Sequence, residues 1–153
     1  MIIYFDMDGT IADYEKRFIE IWGKELFEKF KTMSKEEKAP YQEKMAEQDF
    51  YKELDPMPML DRMHTLFRNG VDVAILTSIG KVKPMLVSTQ KLEWLKEHCS
   101  KDLFNHLVMN ARYQTVFTSK AKANYAGPNT CLVDDREKAW RPFLEAGGSV
   151  VVV

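Results

Sequence analysis

Five short, nearly continuous apolar runs punctuate the chain: Ile2–Phe5, Val71–Leu76, Leu107–Met109, Thr130–Val133 and Ser149–Val153. They are rich in β-branched residues and show little polar alternation, which predicts strands covered on both faces, as in a parallel sheet. Turn signals introduce two of them, Asn69-Gly70 before the second and Gly147-Gly148 before the fifth. Between the runs the apolar spacing becomes helical. Met59, Met63, Leu66 and Phe67 fall on one helix face, and Leu92, Leu95 and Cys99 on another. Residues 137–146 carry Trp140, Phe143 and Leu144 and stop before Gly147, a natural helix-ending glycine. Strands alternating with helices predict right-handed crossovers and a doubly wound, three-layer α/β/α core.

Residues 13–55 interrupt this alternation. The stretch carries twelve acidic and nine basic residues and no strand-like run. Phe18, Trp22, Leu26 and Phe30 recur every four residues, predicting one long amphipathic helix. Ser34 and Glu37 have capping-box spacing for a second helix. The charges read as a solvated face. The chain therefore divides into a core, 1–12 and 56–153, and a small helical cap, 13–55, inserted after the first strand. Such an insertion lies over the C-terminal edge of the sheet, where open α/β sheets bind ligands.

Charge and cysteine content narrow the partners. Twenty-two basic residues against 23 acidic ones give a net charge of −1 over 153 residues, so no global field draws in nucleic acid. Cys99 and Cys131 are too few for a disulfide framework and lack metal-ligand spacing, which points to a reducing, cytoplasmic setting. Met1–Phe5 is too short for a signal or membrane segment. The expected partner is a small molecule, with the protein a monomer or homodimer, and no membrane or nucleic-acid polymer involved.

The chemistry concentrates at the ends of the apolar runs. Asp6-Met7-Asp8-Gly9-Thr10 follows the first at once. One carboxylate there can bind a cation and attack an electrophile while the other handles a proton, and Gly9 lets the chain turn close to a ligand. Thr77-Ser78 ends the second run, Lys120 and Lys122 follow later, and Asp134-Asp135 ends the fourth. Carboxylates for a divalent cation, an Asp nucleophile, hydroxyls and an ammonium together suit attack on an electrophile and stabilisation of the charge that develops.

These four elements, in this order, resemble the motifs of the haloacid dehalogenase (HAD) superfamily of phosphotransferases. The resemblance implies a HAD-like, Rossmann-like core and Mg²⁺-dependent hydrolysis through an aspartyl phosphate. Asp6 would be the nucleophile and a metal ligand. Asp8 would be the general acid and base, offering its backbone carbonyl to the metal. Thr77 and Ser78 would bind phosphate, Asp135 would ligate Mg²⁺, and Asp134 would act through water or orient the lysine. Lys122, within Lys122-Ala123-Asn124-Tyr125-Ala126, is favoured over Lys120 for the motif lysine.

Phe50-Tyr51-Lys52-Glu53-Leu54-Asp55-Pro56-Met57-Pro58, the Thr77-Ser78 strand and Lys91-Leu92-Glu93-Trp94 further resemble the 5′(3′)-deoxyribonucleotidase family. That likeness implies a deoxyribonucleoside monophosphate as substrate. It also implies a base pocket walled by Tyr14, Phe50 and Tyr51, and Lys91, with Lys122, among the phosphate-binding residues. The alternative substrate is another small phosphorylated metabolite such as a sugar phosphate. A non-catalytic metal- or phosphate-binding module is the remaining alternative.

Overall fold

The computed structural model describes residues 1–109 and 114–153. Five parallel strands form one sheet: β1 (Ile2–Phe5), β2 (Asp72–Ser78), β3 (Val116–Thr118), β4 (Thr130–Asp134) and β5 (Ser149–Val152), in the order β3-β2-β1-β4-β5. The alternation of the strand residues sends side chains to two cores. Phe5, Val73, Ile75 and Val133 face one side, packing with Leu60 and Met63 of α4 (Met59–Arg68), Trp94 and Leu95 of α5 (Pro84–His98), and Leu103 of α6 (Lys101–Phe104). Tyr4, Ala74, Leu76 and Leu132 face the other, packing with Phe143 of α7 (Glu137–Glu145). The three layers anticipated from the sequence are therefore present.

Two elements differ from expectation. Leu107–Met109 is not a strand. Ser100 caps α6 by accepting from the Leu103 amide at 3.1 Å, and the chain continues as a wide helical turn over Asn105–Met109. Leu103 and Leu107, four apart, are both buried, so the apolar run is a helix face. Three apolar residues are too few for periodicity to decide between strand and helix. The third strand is instead Val116–Thr118, which pairs with Leu76–Ser78.

The single long helix expected from Phe18 to Phe30 is two helices. α1 (Tyr14–Trp22) ends at Gly23, whose φ of 90° leaves the helical region, and α2 (Lys24–Phe30) starts from it. The break shifts the buried stripe, so Phe27 turns inward rather than Leu26. The Ser34–Glu37 capping box does form, opening α3 (Lys35–Glu47) with both reciprocal bonds at 3.2 Å. Aromatic rings of α1, α2 and α3 interlock around Phe18, 4.8 Å from Trp22 and 5.0 Å from Phe30. The helical stretch leaves and rejoins the rest at one point, where the Asp13 amide donates to Asp55 O at 2.8 Å and Ala12 bridges Pro56.

Candidate active site

The sheet register assembles the site. Phe5 is level with Ile75 on β2 and with Val133 on β4, so the next residues, Asp6, Leu76-Thr77 and Asp134, emerge together at the C-terminal edge. Asp6 is 2% exposed and Asp134 is fully buried. Two unpaired carboxylates at such depth would be costly. Lys122 resolves this: its Nζ donates to Asp6 Oδ1 at 2.6 Å and to Asp134 Oδ2 at 2.7 Å. Burial acts to lower the lysine's pKa, but the attraction and hydrogen bonds of the two aspartates outweigh it and hold the ammonium above its ordinary value. Lys122 lies on a short 3₁₀ turn, Lys122–Tyr125, after β3, whereas Lys120 is exposed.

Both oxygens of Asp134 are engaged. Its other oxygen, Oδ1, accepts the Arg136 backbone amide at 3.0 Å. Asp135 is different, for its carboxylate lies at the site rim with oxygens near those of Asp6 and Asp134; all three lie within 4.8 Å of one another. Burial, then the charges of Asp6 and Asp134, push its carboxyl up to about 6. A carboxylate held against like charges in this way is suited to ligating a cation. Thr10 Oγ1 reaches both Asp6 Oδ2 and Asp135 Oδ1 at 3.4 Å. Gly9, at φ +82°, brings the loop against Asp135 so closely that a Cβ there would lie 2.6 Å from Oδ2.

Asp8 pairs with a different lysine. Its Oδ2 accepts from Lys91 Nζ at 2.9 Å, and Oδ1 is buried with no partner among the described residues. Lys91 is only 1% exposed and also donates to Thr77 Oγ1 at 2.7 Å and Ser78 O at 2.8 Å. Thr77 is buried, and Ser78 is exposed at the strand end. Tyr51 lies over Lys91, whose Nζ is 5.1 Å from the ring centre. Tyr14 and Tyr51 are 6.4 Å apart, and both hydroxyls point at Met45 Sδ. Burial raises both phenols well above their ordinary value. The Asp8 charge adds to the rise at each.

Ten of the eleven residues singled out from the sequence thus converge on one sheet edge, with Ser78 at its outer rim. Phe50 does not offer a ring face to a ligand. It is 1% exposed, wedged between Tyr14 at 5.1 Å and Tyr51 at 5.2 Å, and supports those rings from behind. Sequence reading missed three contributors. Thr10 closes the Asp6–Thr10 string and was available from it. The Arg136 amide is a backbone group and leaves no trace in composition. Gln90, buried on α5, accepts from the Tyr51 amide at 2.9 Å and donates to Ala46 O at 2.7 Å. Its only signal was a polar residue beside the apolar stripe of α5.

Comparison with known proteins accords with this geometry. Solved structures match the topology over nearly the whole chain. A hydrolase from Pseudomonas syringae superposes with a TM-score of 0.60 at 13% identity, covering 99% of this chain and 84% of that one. A HAD family enzyme from Bacteroides thetaiotaomicron, in complex with magnesium and inorganic phosphate, superposes at 0.52 with 15% identity, covering 99% and 92%. The chain has the HAD fold. In sequence, a Bordetella pertussis protein named "Putative 5'(3')-deoxyribonucleotidase" is 29% identical over 123 residues. That alignment covers 71% of this chain and spans 66% of the relative's length. No protein-family model matches the chain. Among the described residues, no helix is long and apolar enough to cross a membrane.

Proposed function

We propose that this HAD-fold chain is a Mg²⁺-dependent phosphomonoesterase working through an aspartyl phosphate, with deoxyribonucleoside monophosphates as its substrates. The observation that carries the reading is the buried Asp6–Lys122–Asp134 triad with Asp135 beside it. Charge balance supports a metal. Four carboxylates (Asp6, Asp8, Asp134, Asp135) face three cations (Lys91, Lys122, Arg136), and a phosphate dianion would add two more negative charges. A hard divalent cation with oxygen ligands offsets that excess, and the donors present are oxygens. Asp6 and Asp135 would hold it, with Asp134 held by Lys122 and the Arg136 amide and so steering the lysine. Bound there, Mg²⁺ would supply Lewis-acid stabilisation of phosphate oxygens.

The chain's own groups divide the remaining work. Asp6 attacks phosphorus, forming an Asp6 O–P bond as the P–O bond to the alcohol breaks. Asp8 gives the leaving oxygen a proton from Oδ1. Water then attacks the aspartyl phosphate and loses its proton to Asp8, which frees Asp6 and phosphate. Lys122 and the Thr77 and Ser78 hydroxyls stabilise charge on the phosphate oxygens. Residues 13–55 serve as the cap, and Tyr14 and Tyr51 wall the pocket for the base.

The deoxynucleotide reading draws on the Bordetella relative's name and on two neighbouring tyrosines, one of them over Lys91, the lysine that binds Asp8. A base stacked on an aromatic gains roughly 1–3 kcal/mol. With each 1.4 kcal/mol worth tenfold, that is about 5- to 150-fold. Steady-state kinetics should therefore give dUMP or dTMP a kcat/KM higher than deoxyribose 5-phosphate by that order. Tyr14→Ala should close much of the gap while sparing p-nitrophenyl phosphate. Equal values in the wild type end the nucleotidase reading and favour a sugar phosphate. Absence of Mg²⁺-dependent turnover on every ester ends the phosphatase reading as well.

A further inference from the structure

We propose that Lys91 is a positioning residue that orients the Thr77 hydroxyl and the Asp8 carboxyl, rather than a ligand of the phosphate. The inference rests on the phosphatase reading above and adds to it a role for a lysine outside the carboxylate triad.

An ammonium has three N–H donors and no acceptor. Lys91 directs them to Asp8 Oδ2 at 2.9 Å, Thr77 Oγ1 at 2.7 Å and Ser78 O at 2.8 Å. The side chain is 1% exposed, and its Nζ lies 5.1 Å from the Tyr51 ring centre. Nothing is left to donate to a substrate oxygen. A phosphate reaching Nζ would have to displace a buried protein partner, and an orphaned buried polar group costs about 1–3 kcal/mol.

Two consequences follow for the chemistry. Because Lys91 can only donate, Thr77 Oγ1 is the acceptor in their contact, so the threonine's own hydrogen must point elsewhere. A buried hydroxyl otherwise free to rotate becomes a fixed donor for the phosphate. Asp8 is sorted in the same way. Oδ2 is occupied by Lys91, and Oδ1 is buried with no partner among the described residues. Oδ1 is then the oxygen that carries the transferable proton. It gives that proton to the leaving oxygen as the Asp6 O–P bond forms and the ester P–O bond breaks, and it recovers one from the attacking water.

The test compares a poor and a good leaving group. Deoxyribose 5-phosphate leaves as an alkoxide that needs a proton, whereas p-nitrophenolate leaves without one. The readout is the ratio of kcat values, alkyl over aryl, in the whole 153-residue chain with Mg²⁺. General acid transfer contributes about 10²–10⁴-fold, so Lys91→Met should lower the ratio by at least about tenfold, with KM for both esters within about threefold. Adding Lys91→Met to Asp8→Asn should change the ratio by less than about threefold, since both substitutions remove the same function. Circular dichroism checks the fold, and Lys91→Gln, which removes the charge and at least one of the three donated bonds, carries the same test if the methionine variant does not fold. An unchanged ratio in a folded variant overturns the assignment. A KM rise shared equally by both esters marks Lys91 as a phosphate ligand instead. A wild type that turns over neither ester overturns the phosphatase reading and this one together, which is distinguishable from an active enzyme with an unmoved ratio.

Discussion

Gly9→Ala tests how the first loop is built against the carboxylate cluster proposed to hold Mg²⁺. Gly9 sits at φ +82°, and an added Cβ would meet Asp135 Oδ2 at 2.6 Å, Cγ at 3.0 Å and Oδ1 at 3.1 Å. The left-handed backbone costs an alanine roughly 1–2 kcal/mol. Relieving the contact requires Asp135 to shift, adding strain of order 1 kcal/mol at an off-rotamer side chain. The total of about 2–3 kcal/mol corresponds to a Tm lower by about 4–12 °C for a domain of this size. Gly70 supplies the control, because its φ is +81° and a Cβ there meets nothing within 4 Å. Gly70→Ala should lose only the backbone part. Displacing Asp135 should also weaken Mg²⁺ binding, by the roughly 10–100-fold typical of disturbed metal surroundings. Thermal unfolding by circular dichroism and Mg²⁺ titration of both variants measure the two effects. Equal Tm losses with unchanged Mg²⁺ affinity in Gly9→Ala would refute the claim that this glycine exists to admit Asp135.

Two further predictions concern buried ionisable groups. Lys122→Met leaves Asp6 and Asp134 without their shared cation, and breaking a buried pair costs about 3–5 kcal/mol, so urea unfolding should show a large loss and turnover should collapse. Lys120→Ala, at an exposed position, should stay within about 0.5 kcal/mol of wild type in the same urea titration. Burial pushes the Cys99 thiol up to about 12, above the roughly 8.5 of an unfolded cysteine. The raised value means its stabilisation is complete below about pH 8.5 and is lost as pH rises toward 12. Cys99→Ala should therefore show a shallower fall in urea midpoint between about pH 8.5 and 11, and an identical slope would contradict the burial argument.

The convergence of the candidate site was legible in the sequence because its residues are tied to strand ends. Asp6, Thr77 and Asp134 each close an apolar run, and parallel pairing in register makes strand ends neighbours. Lys122 was separable from Lys120 only by a motif string, and burial on the 3₁₀ turn distinguishes them physically. Gly23 was visible in the sequence, yet the four-residue spacing across it was the louder signal. Periodicity reports which side chains face inward but not whether the backbone between them is continuous. The misplaced third strand has a similar cause. Leu107–Met109 and Val116–Thr118 are both short stretches of three residues, and the choice between them rests on helix capping by Ser100 and on pairing with β2.

What no pattern could show is how α5 joins the helical insertion to the site. Gln90 binds Ala46 O and the Tyr51 amide, Trp94 Nε1 donates to Leu54 O at 2.7 Å, and Lys91 reaches Asp8 and Thr77. Lys83 pairs with Glu43 and Glu47, and Lys52 with Glu93. The exposed pairs contribute little, about 0–1 kcal/mol each. The buried bonds are another matter, since each orphaned donor or acceptor costs about 1–3 kcal/mol. Swinging the end of α3 and the following turn away from α5 would orphan several of these at once, in an apolar core that offers no water to replace them. Tyr51 is therefore held at a fixed height over Lys91, which in turn binds Asp8. Under the proposed function, the wall of the pocket and the proton-transfer carboxylate are set by adjacent residues of one helix, so selectivity for the substrate's non-reacting part and alignment of its reacting part would be mechanically the same feature.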